Sequence, residues 1–424
     1  MPVARSTVMV IGGGIAGIQA ALDCAEAGAK VVMVEKFASI GGKMAALDKN
    51  FPTLDCSVCI EAPRMSEVAE HPHIEILAQA ELVKLKGEAG HFTATVRQHA
   101  SYVTDACTRC DDCSDACPEA QPNLFDEGLA TRKAIYTPFP QAVPTPYVVD
   151  MESCLNAPPN YLPCDRCMRA CEADAIDFSM PAGRVVQRQI ASVIVATGFA
   201  MQDPRAVDEY SYGSHPDILT AMEFERLVSA AGPTEGEILR LSDMQHPKSL
   251  AFIYCVGSRS TRHAAYCSRV CCMYSTKQAI QALDHGVANV TAYYMDIRAF
   301  GKEFDEFHQR AIEMGAHYIR GRPARVYHDG KKLKVRYEDT ETGRVTEANH
   351  DLVVLANALV PPAGLEELAT VLGLELGDDG FLATPEQWGD HVLSLRDGIY
   401  FAGCATGPRD IPDSVAEGSA AAAA

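Results

Sequence analysis

A chain of 424 residues has room for two or three domains with full cores. Apolar residues make up 47% and charged residues 22%, the balance of an ordinary globular protein. A formal net charge of −19 argues against nucleic acid and anionic membrane surfaces as partners. No uncharged apolar run is long enough to span a bilayer, and the N-terminus enters a glycine loop too early for a signal peptide. A soluble, cytoplasmic chain is expected. Sixteen cysteines in a reducing compartment point to metal or redox chemistry rather than to a disulfide framework.

The segment VMVIGGGIAGIQAALDCAEAGAKVVMVEK predicts strand, tight turn, helix, strand. Gly12, Gly14 and Gly17 form G-x-G-x-x-G directly after the strand at 8–11. The first glycine permits the turn, the second lets a pyrophosphate approach the backbone, and the third lets the helix lie close to the strand. Glu35 ends the second strand, about 20 residues beyond the loop, where a carboxylate meets ribose hydroxyls. A dinucleotide site is expected here, with Cys24 in the core of the helix.

CTRCDDCSDACP places Cys107, Cys110, Cys113 and Cys117 before Pro118, the spacing of a bacterial-type ferredoxin. Cys154, Cys164, Cys167 and Cys171 form a second run with a longer first gap. In such doubled patterns the fourth cysteine of each run crosses to the other cluster. One [4Fe–4S] cluster is therefore assigned to Cys107, Cys110, Cys113 and Cys171, the other to Cys154, Cys164, Cys167 and Cys117. The segment 138–146 reads as an exposed, proline-rich connector between the two halves.

Further on, SLAFIYCVGSR begins like the core strand of a second dinucleotide fold. The residues after it, Val256 to Arg259, supply no glycine loop, so a nicotinamide cofactor would lose its phosphate cradle. Cys255, Cys267, Cys271 and Cys272 arrive instead, enough thiolates for a third [4Fe–4S] cluster. Cys56 and Cys59 form one more C-x2-C. A redox dithiol, half of a cluster completed by a partner, and buried thiols are all open readings, with a partner-facing site favoured. The thirteen histidines show no H-x-x-H pairing, so no catalytic zinc is expected.

Several stretches resemble flavoproteins with two dinucleotide-type domains. SIGGKM resembles their second loop, VIVATGF their signature strand, and DGIYFAGCATGPRDIPDSVAEGSAAA their last flavin-contacting strand and helix, with Cys404 where relatives of thioredoxin reductase usually carry Asp. This resemblance implies FAD, contacted by Lys36, Gly41, Gly42, Lys43, Thr197, Gly198, Gly403, Ile411 and Pro412 beside the glycine loop. The run C-x11-C-x3-C-C together with the doubled ferredoxin insert resembles the A subunits of heterodisulfide reductases. TLDCSVCIEAPRM and DIRAFGKEFDEF extend the likeness over nearly the whole chain. The layout is most similar to the A subunits of quinone-interacting membrane-bound oxidoreductases of sulfate reducers.

The resemblance implies an α/β, thioredoxin-reductase-like fold of two dinucleotide-type domains. The FAD domain takes 1–103, 181–245 and 351–424, the ferredoxin insert 104–180, and the cluster-bearing second domain 246–350. It implies FAD, three [4Fe–4S] clusters, and Lys277 as a catalytic cation near the flavin or the third cluster. It also implies an oxidoreductase subunit passing electrons between the membrane quinone pool and adenylylsulfate reductase. The implied partners are a second flavoprotein subunit together with a haem-bearing membrane subunit, which would hold the chain at the inner membrane. An electron-bifurcating flavin subunit is the alternative, and a stand-alone flavin reductase a more distant one.

Overall fold

The computed structural model describes residues 6–144, 147–157, 162–385 and 391–424. Residues 1–5 of the N-terminal run and Thr145 and Pro146 of the expected connector lie outside the described residues.

The chain opens with β1 (Thr7–Ile11), α1 (Ile15–Glu26), β2 (Lys30–Val34), α2 (Ser57–Glu70) and β3 (Ile74–Leu77). Strands β1 and β2 are buried along nearly their whole length, the pattern of parallel strands covered on both faces. The antiparallel strands β4 (Ala80–Lys86) and β5 (Phe92–His99) bury alternate residues, because only one face meets the core. The chain then leaves the domain and returns as β6 (Gly183–Ile190), which pairs with β5 over its full length. Between them lie short helices α3 (Asp112–Ala116) and α4 (Arg166–Ala170), around a separate small core that includes Tyr102, Ile135, Tyr147 and Ile176. β7 (Ser192–Val195) rejoins the first sheet beside β1.

The second parallel sheet begins with β8 (Ile218–Thr220) and α5 (Ala221–Val228), the helix started by a capping box between Thr220 and Glu223. It continues through β9 (Ser249–Val256), α6 (Cys271–Asp284), β10 (Asn289–Tyr294), α7 (Phe304–Glu313) and β11 (His317–Arg320). The antiparallel strands β12 (Arg325–His328), β13 (Leu333–Asp339) and β14 (Arg344–His350) lead into β15 (Leu352–Asn357). α8 (Leu365–Leu372), β16 (Ile399–Phe401) and α9 (Ile411–Ala423) return to the first domain. The sheet orders are β16-β7-β1-β2-β3 and β8-β15-β9-β10-β11, both parallel. Among the described residues no helix is long and apolar enough to cross a membrane.

Two expectations need correction. β8 and β15 fall within the span expected for the flavin domain, yet they complete the second sheet, which therefore extends beyond 246–350 at both ends. The run LVVLAN is apolar at nearly every position because β15 lies between β8 and β9 and is buried on both faces. The connector is not an exposed tether. Phe139, Ala142 and Val143 are buried in the core of the first domain. Val143 accepts the Ile40 N–H at 2.9 Å and donates its own N–H to Ser39 Oγ at 2.9 Å.

Candidate cofactor sites

The first site is built where β1 turns into α1. A Cβ on Gly12 would stand 2.2 Å from the Ala196 carbonyl oxygen, and one on Gly17 would stand 1.9 Å from that of Gly12. Only glycine lets these backbones meet so closely. The second loop closes on the first: the Gly41 N–H donates to Gly13 O at 2.7 Å, and a Cβ on Gly42 would lie 2.9 Å from the Gly14 Cα. Glu35 locks the pair by accepting the Gly13 N–H at 2.6 Å and the Phe37 N–H at 2.8 Å. Burial raises its carboxyl above the ordinary range, while those N–H bonds pull it back.

The outer side of this crib is free. Gly14 caps α1 with no side chain on the first-turn N–H groups, and a Cβ on Gly198 would meet nothing within 4 Å. Thr197 Oγ1 is buried without a partner among the described residues, as are both carboxylate oxygens of Glu61. Glu61 lies one helical turn from Met65, which packs against Gly41. Burial lifts the Glu61 carboxyl well above its ordinary range. Gly403 brings the start of α9, with Ile411 and Pro412, against α1: its Cβ would stand 2.9 Å from Ala16 Cβ and 3.4 Å from Ser414 Oγ. A close-packed glycine loop, an uncapped helix N-terminus and an orphaned hydroxyl fit a dinucleotide pyrophosphate.

Two lysines expected at the flavin have partners within the chain. Lys36 reaches the Ala363 carbonyl at 3.4 Å, and Lys43 pairs with Glu127 of the insert at 3.5 Å. Cys404 Sγ accepts the Arg409 N–H at 3.2 Å and closes a loop. Lys277, expected beside the flavin or the third cluster, lies between the domains with its side chain 1% exposed. Its ammonium is ion-paired with Glu225 and donates to Lys49 O at 2.8 Å. Gln278 donates to Glu225 at 2.7 Å and Gln281 to Asp48 at 2.7 Å, so this face of α6 is turned onto the loop after Gly42. The carboxylate partner offsets the cost of burying this cation.

In the insert the cysteines gather around two cavities. One is lined by Cys107, Cys110, Cys113 and Cys171 with Tyr147 and Asp111. The other is lined by Cys117, Cys154, Cys164 and Cys167. Arg109 and Asp111 carry positive φ on either side of Cys110, bending the loop around the first cavity. Burial pushes the Cys113 thiol up to about 12 and Cys167 to about 11. These thiols stay protonated unless a cation compensates them, which bound iron does. Among the described residues no group of His, Cys, Asp or Glu is already closed to the geometry of a bound ion.

The remaining set lies where β9 meets α6. The register of β9 shifts between Ile253 and Val256, and Cys255 takes φ +58°, turning its thiol out of the strand. Cys271 and Cys272 are the first two residues of α6, at the positive end of its dipole. Interaction with the Cys271 thiol holds Cys255 and Cys272 below the ordinary thiol range and raises Cys271 itself. Cys267 Sγ accepts the Arg269 N–H at 3.3 Å.

Sequence reasoning misses Arg259. Its guanidinium grips Asp296 at 2.6 and 2.9 Å and donates to Cys255, while the Asp296 carbonyl faces Cys272 Sγ at 3.8 Å. Its only signal is its place in CVGSR, which reads as a turn. Cys56 and Cys59 form a disulfide, with Cys56 capping α2. Where a nicotinamide loop would lie, Gln202 fills the space: a Cβ on Gly257 would stand 2.0 Å from its Oε1.

A family described as FAD dependent oxidoreductase matches residues 7–106. The chain is 47% identical over 420 residues to the A subunit of the H(2):CoB-CoM heterodisulfide,ferredoxin reductase of Methanothermobacter marburgensis, covering 98% of this chain and 62% of that one. It is 40% identical over 455 residues to an A-subunit-like heterodisulfide reductase protein of Archaeoglobus profundus, covering 98% and 65%. The chain thus spans less than two thirds of the length of these relatives. Thioredoxin reductase of T. acidophilum shares the fold with a TM-score of 0.54 at 16% identity, covering 99% of this chain and 97% of that one. That of Lactococcus lactis gives 0.53 at 16%, covering 99% and 97%.

Proposed function

Since the chain belongs to the family of heterodisulfide reductase A subunits, we propose that it is an electron-transfer flavoprotein subunit of a larger oxidoreductase. FAD sits in the crib of Gly12, Gly14, Gly17, Glu35, Gly41, Gly42, Thr197, Gly198 and Gly403. [4Fe–4S] clusters sit in the three cysteine sets. The observation that carries this reading is the division of the insert: each cavity is lined by three cysteines of one run and the crossing fourth of the other.

When bound, FAD supplies the exchange between two-electron and one-electron carriers. The chain's own residues do the rest. The glycine loop and the N-terminus of α1 bind the pyrophosphate. α6 turns its own N-terminus to Cys271 and Cys272, and Arg259 holds Cys255 toward them. Arg226 fixes the three parts of the chain, donating to Asp126 of the insert at 3.0 Å and to Ala46 O of the first domain at 2.9 Å. Gln202 at Gly257 leaves no approach for a nicotinamide pyrophosphate, so electrons enter through clusters or partners.

In its narrower form the reading links the membrane quinone pool to adenylylsulfate reductase. A second flavoprotein subunit together with a haem-bearing membrane subunit would then be neighbours at the inner membrane. The alignment with the Methanothermobacter marburgensis relative covers 98% of this chain, insert included, so the insert fits either form. The names of the relatives, which couple a heterodisulfide to ferredoxin, favour a second form in which the flavin divides electrons between two acceptors. Anaerobic purification with iron and flavin analysis tests the core reading, with one FAD and about twelve irons per chain expected. Near four irons would defeat the assignment of the insert. Native pull-down then decides between the forms: a haem subunit selects the first, ferredoxin-reducing partners the second.

A further inference from the structure

The remaining redox feature is the Cys56–Cys59 disulfide. It closes the first turn of α2, a helix of 14 residues. Cys59 is exposed beside Ile60, which is 46% exposed, while Cys56 is half-buried. Cys56 Sγ accepts the Cys59 N–H at 3.2 Å, the bond of an N-cap made through sulfur. The two sulfurs are therefore unequal: one is open to attack, and the other sits where a negative charge is best received.

The surroundings hold this arrangement in place. Cys56 pairs with Lys49 in an isolated bridge, and the Lys49 carbonyl accepts the Lys277 ammonium. Ser57 donates to Asn50 Oδ1 at 2.8 Å, and Phe51 stacks edge-on against Phe304 of α7. The loop leading to the disulfide thus lies on the seam between the two domains, its Lys49 carbonyl held from α6 and its Phe51 packed on α7.

We propose that Cys56–Cys59 is an exchange-active disulfide whose substrate is an external dithiol presented at this face. A substrate thiolate attacks the exposed Cys59 Sγ. A new S–S bond forms, the Cys59–Cys56 bond breaks, and its electron pair passes to Cys56 Sγ. The helix N-terminus and the Cys59 N–H stabilise that thiolate, and a stabilised leaving thiolate speeds the exchange. The second substrate thiolate attacks the sulfur bound to Cys59 and expels Cys59. The substrate leaves as a disulfide, and the pair has gained its two electrons and two protons. The reverse sequence reduces a disulfide. The proposal stands apart from the flavin and cluster assignments, since none of their residues takes part.

The test uses the full chain, purified anaerobically with its iron and flavin counted. Alkylation followed by peptide mass spectrometry is read before and after treatment with dithiothreitol. Both cysteines should be protected before, labelled after, and protected again by oxidised dithiothreitol. In a second arm, reduced glutathione is added to the oxidised chain and the reaction is quenched by alkylation; glutathione should be found on Cys59 and the alkyl label on the released Cys56. The inverse distribution should be at least tenfold less abundant. Failure to label after reduction, or glutathione shared equally between the two cysteines, overturns the proposal. So does a loss of iron in Cys56→Ser, which would make the pair metal ligands completed by another chain.

Discussion

The turn from β1 into α1 and the turn from β9 into α6 occupy the same place in two parallel sheets, yet they are built from opposite materials. The first is three residues long and so tight that a single methyl group on Gly12 or Gly17 would overlap a carbonyl oxygen. The second takes 14 residues, from Gly257 to Val270, before the helix resumes. Both deliver the same physical object, a helix N-terminus with uncapped N–H groups. One is left open to an external anion, and the other is filled by the chain's own thiols. Within one fold, a diffusing phosphate carrier and a fixed electron carrier thus become alternative uses of one electrostatic feature.

The contrast breaks most completely at the tight turn. Gly17→Ala places a methyl carbon 1.9 Å from the Gly12 carbonyl oxygen, so α1 must shift off the sheet. Flavin content should fall at least tenfold and the protein should lose several kcal/mol of stability, as expected of overpacking against backbone. Absorbance at the flavin band and a thermal melt read both. Retained flavin in Gly17→Ala would show that the turn does not form the crib.

The seam between the two regions gives the next effect. Glu225→Ala leaves the Lys277 ammonium buried without its partner, which costs about 3–5 kcal/mol. The double change Lys277→Met with Glu225→Leu should recover most of that loss. Thermal melts of the three proteins check this ordering. A Glu225→Ala protein as stable as the parent would show that the pair does not hold the seam.

The long turn should fail selectively. Cys271→Ser with Cys272→Ser should remove about four irons per chain. Flavin content should not change, because the glycine loop is built from other elements. Iron analysis and electron paramagnetic resonance measure it, and an unchanged cluster signal would dissociate these cysteines from the third cluster.

These two turns also show how far sequence reading reaches. The glycine loop and the ferredoxin runs are legible because each is set by spacing within a dozen residues, and local backbone sterics leave little choice. The partners of Lys277 escape such a reading because Glu225 and Lys49 lie 52 and 228 residues away in sequence. No periodicity on α6 announces which face meets another domain. The connector at 138–144 misleads for a similar reason: proline content describes the backbone, while the burial of Phe139 and Val143 depends on a groove formed by distant residues. β8 escapes because three residues, Ile218, Leu219 and Thr220, carry too little pattern to be read as a strand of a particular sheet.

The smallest effect concerns Arg259, and it tests whether the long turn is tuned or merely filled. The guanidinium is oriented by both oxygens of Asp296 and donates to Cys255, so its charge is held beside one corner of the thiol set. Reduction adds negative charge to a cluster, and a fixed cation nearby favours the reduced state. Arg259→Gln keeps a donor of similar reach and removes the charge. The third cluster should then become about tenfold harder to reduce, a shift of about 59 mV to lower potential for one electron. Arg259→Lys, which restores the charge without the planar fork, should recover part of that shift. A structural role alone would lower iron content in Arg259→Gln and leave the potential of the remaining clusters unchanged. Redox titration followed by electron paramagnetic resonance separates the two, because occupancy appears as signal amplitude and tuning as the midpoint.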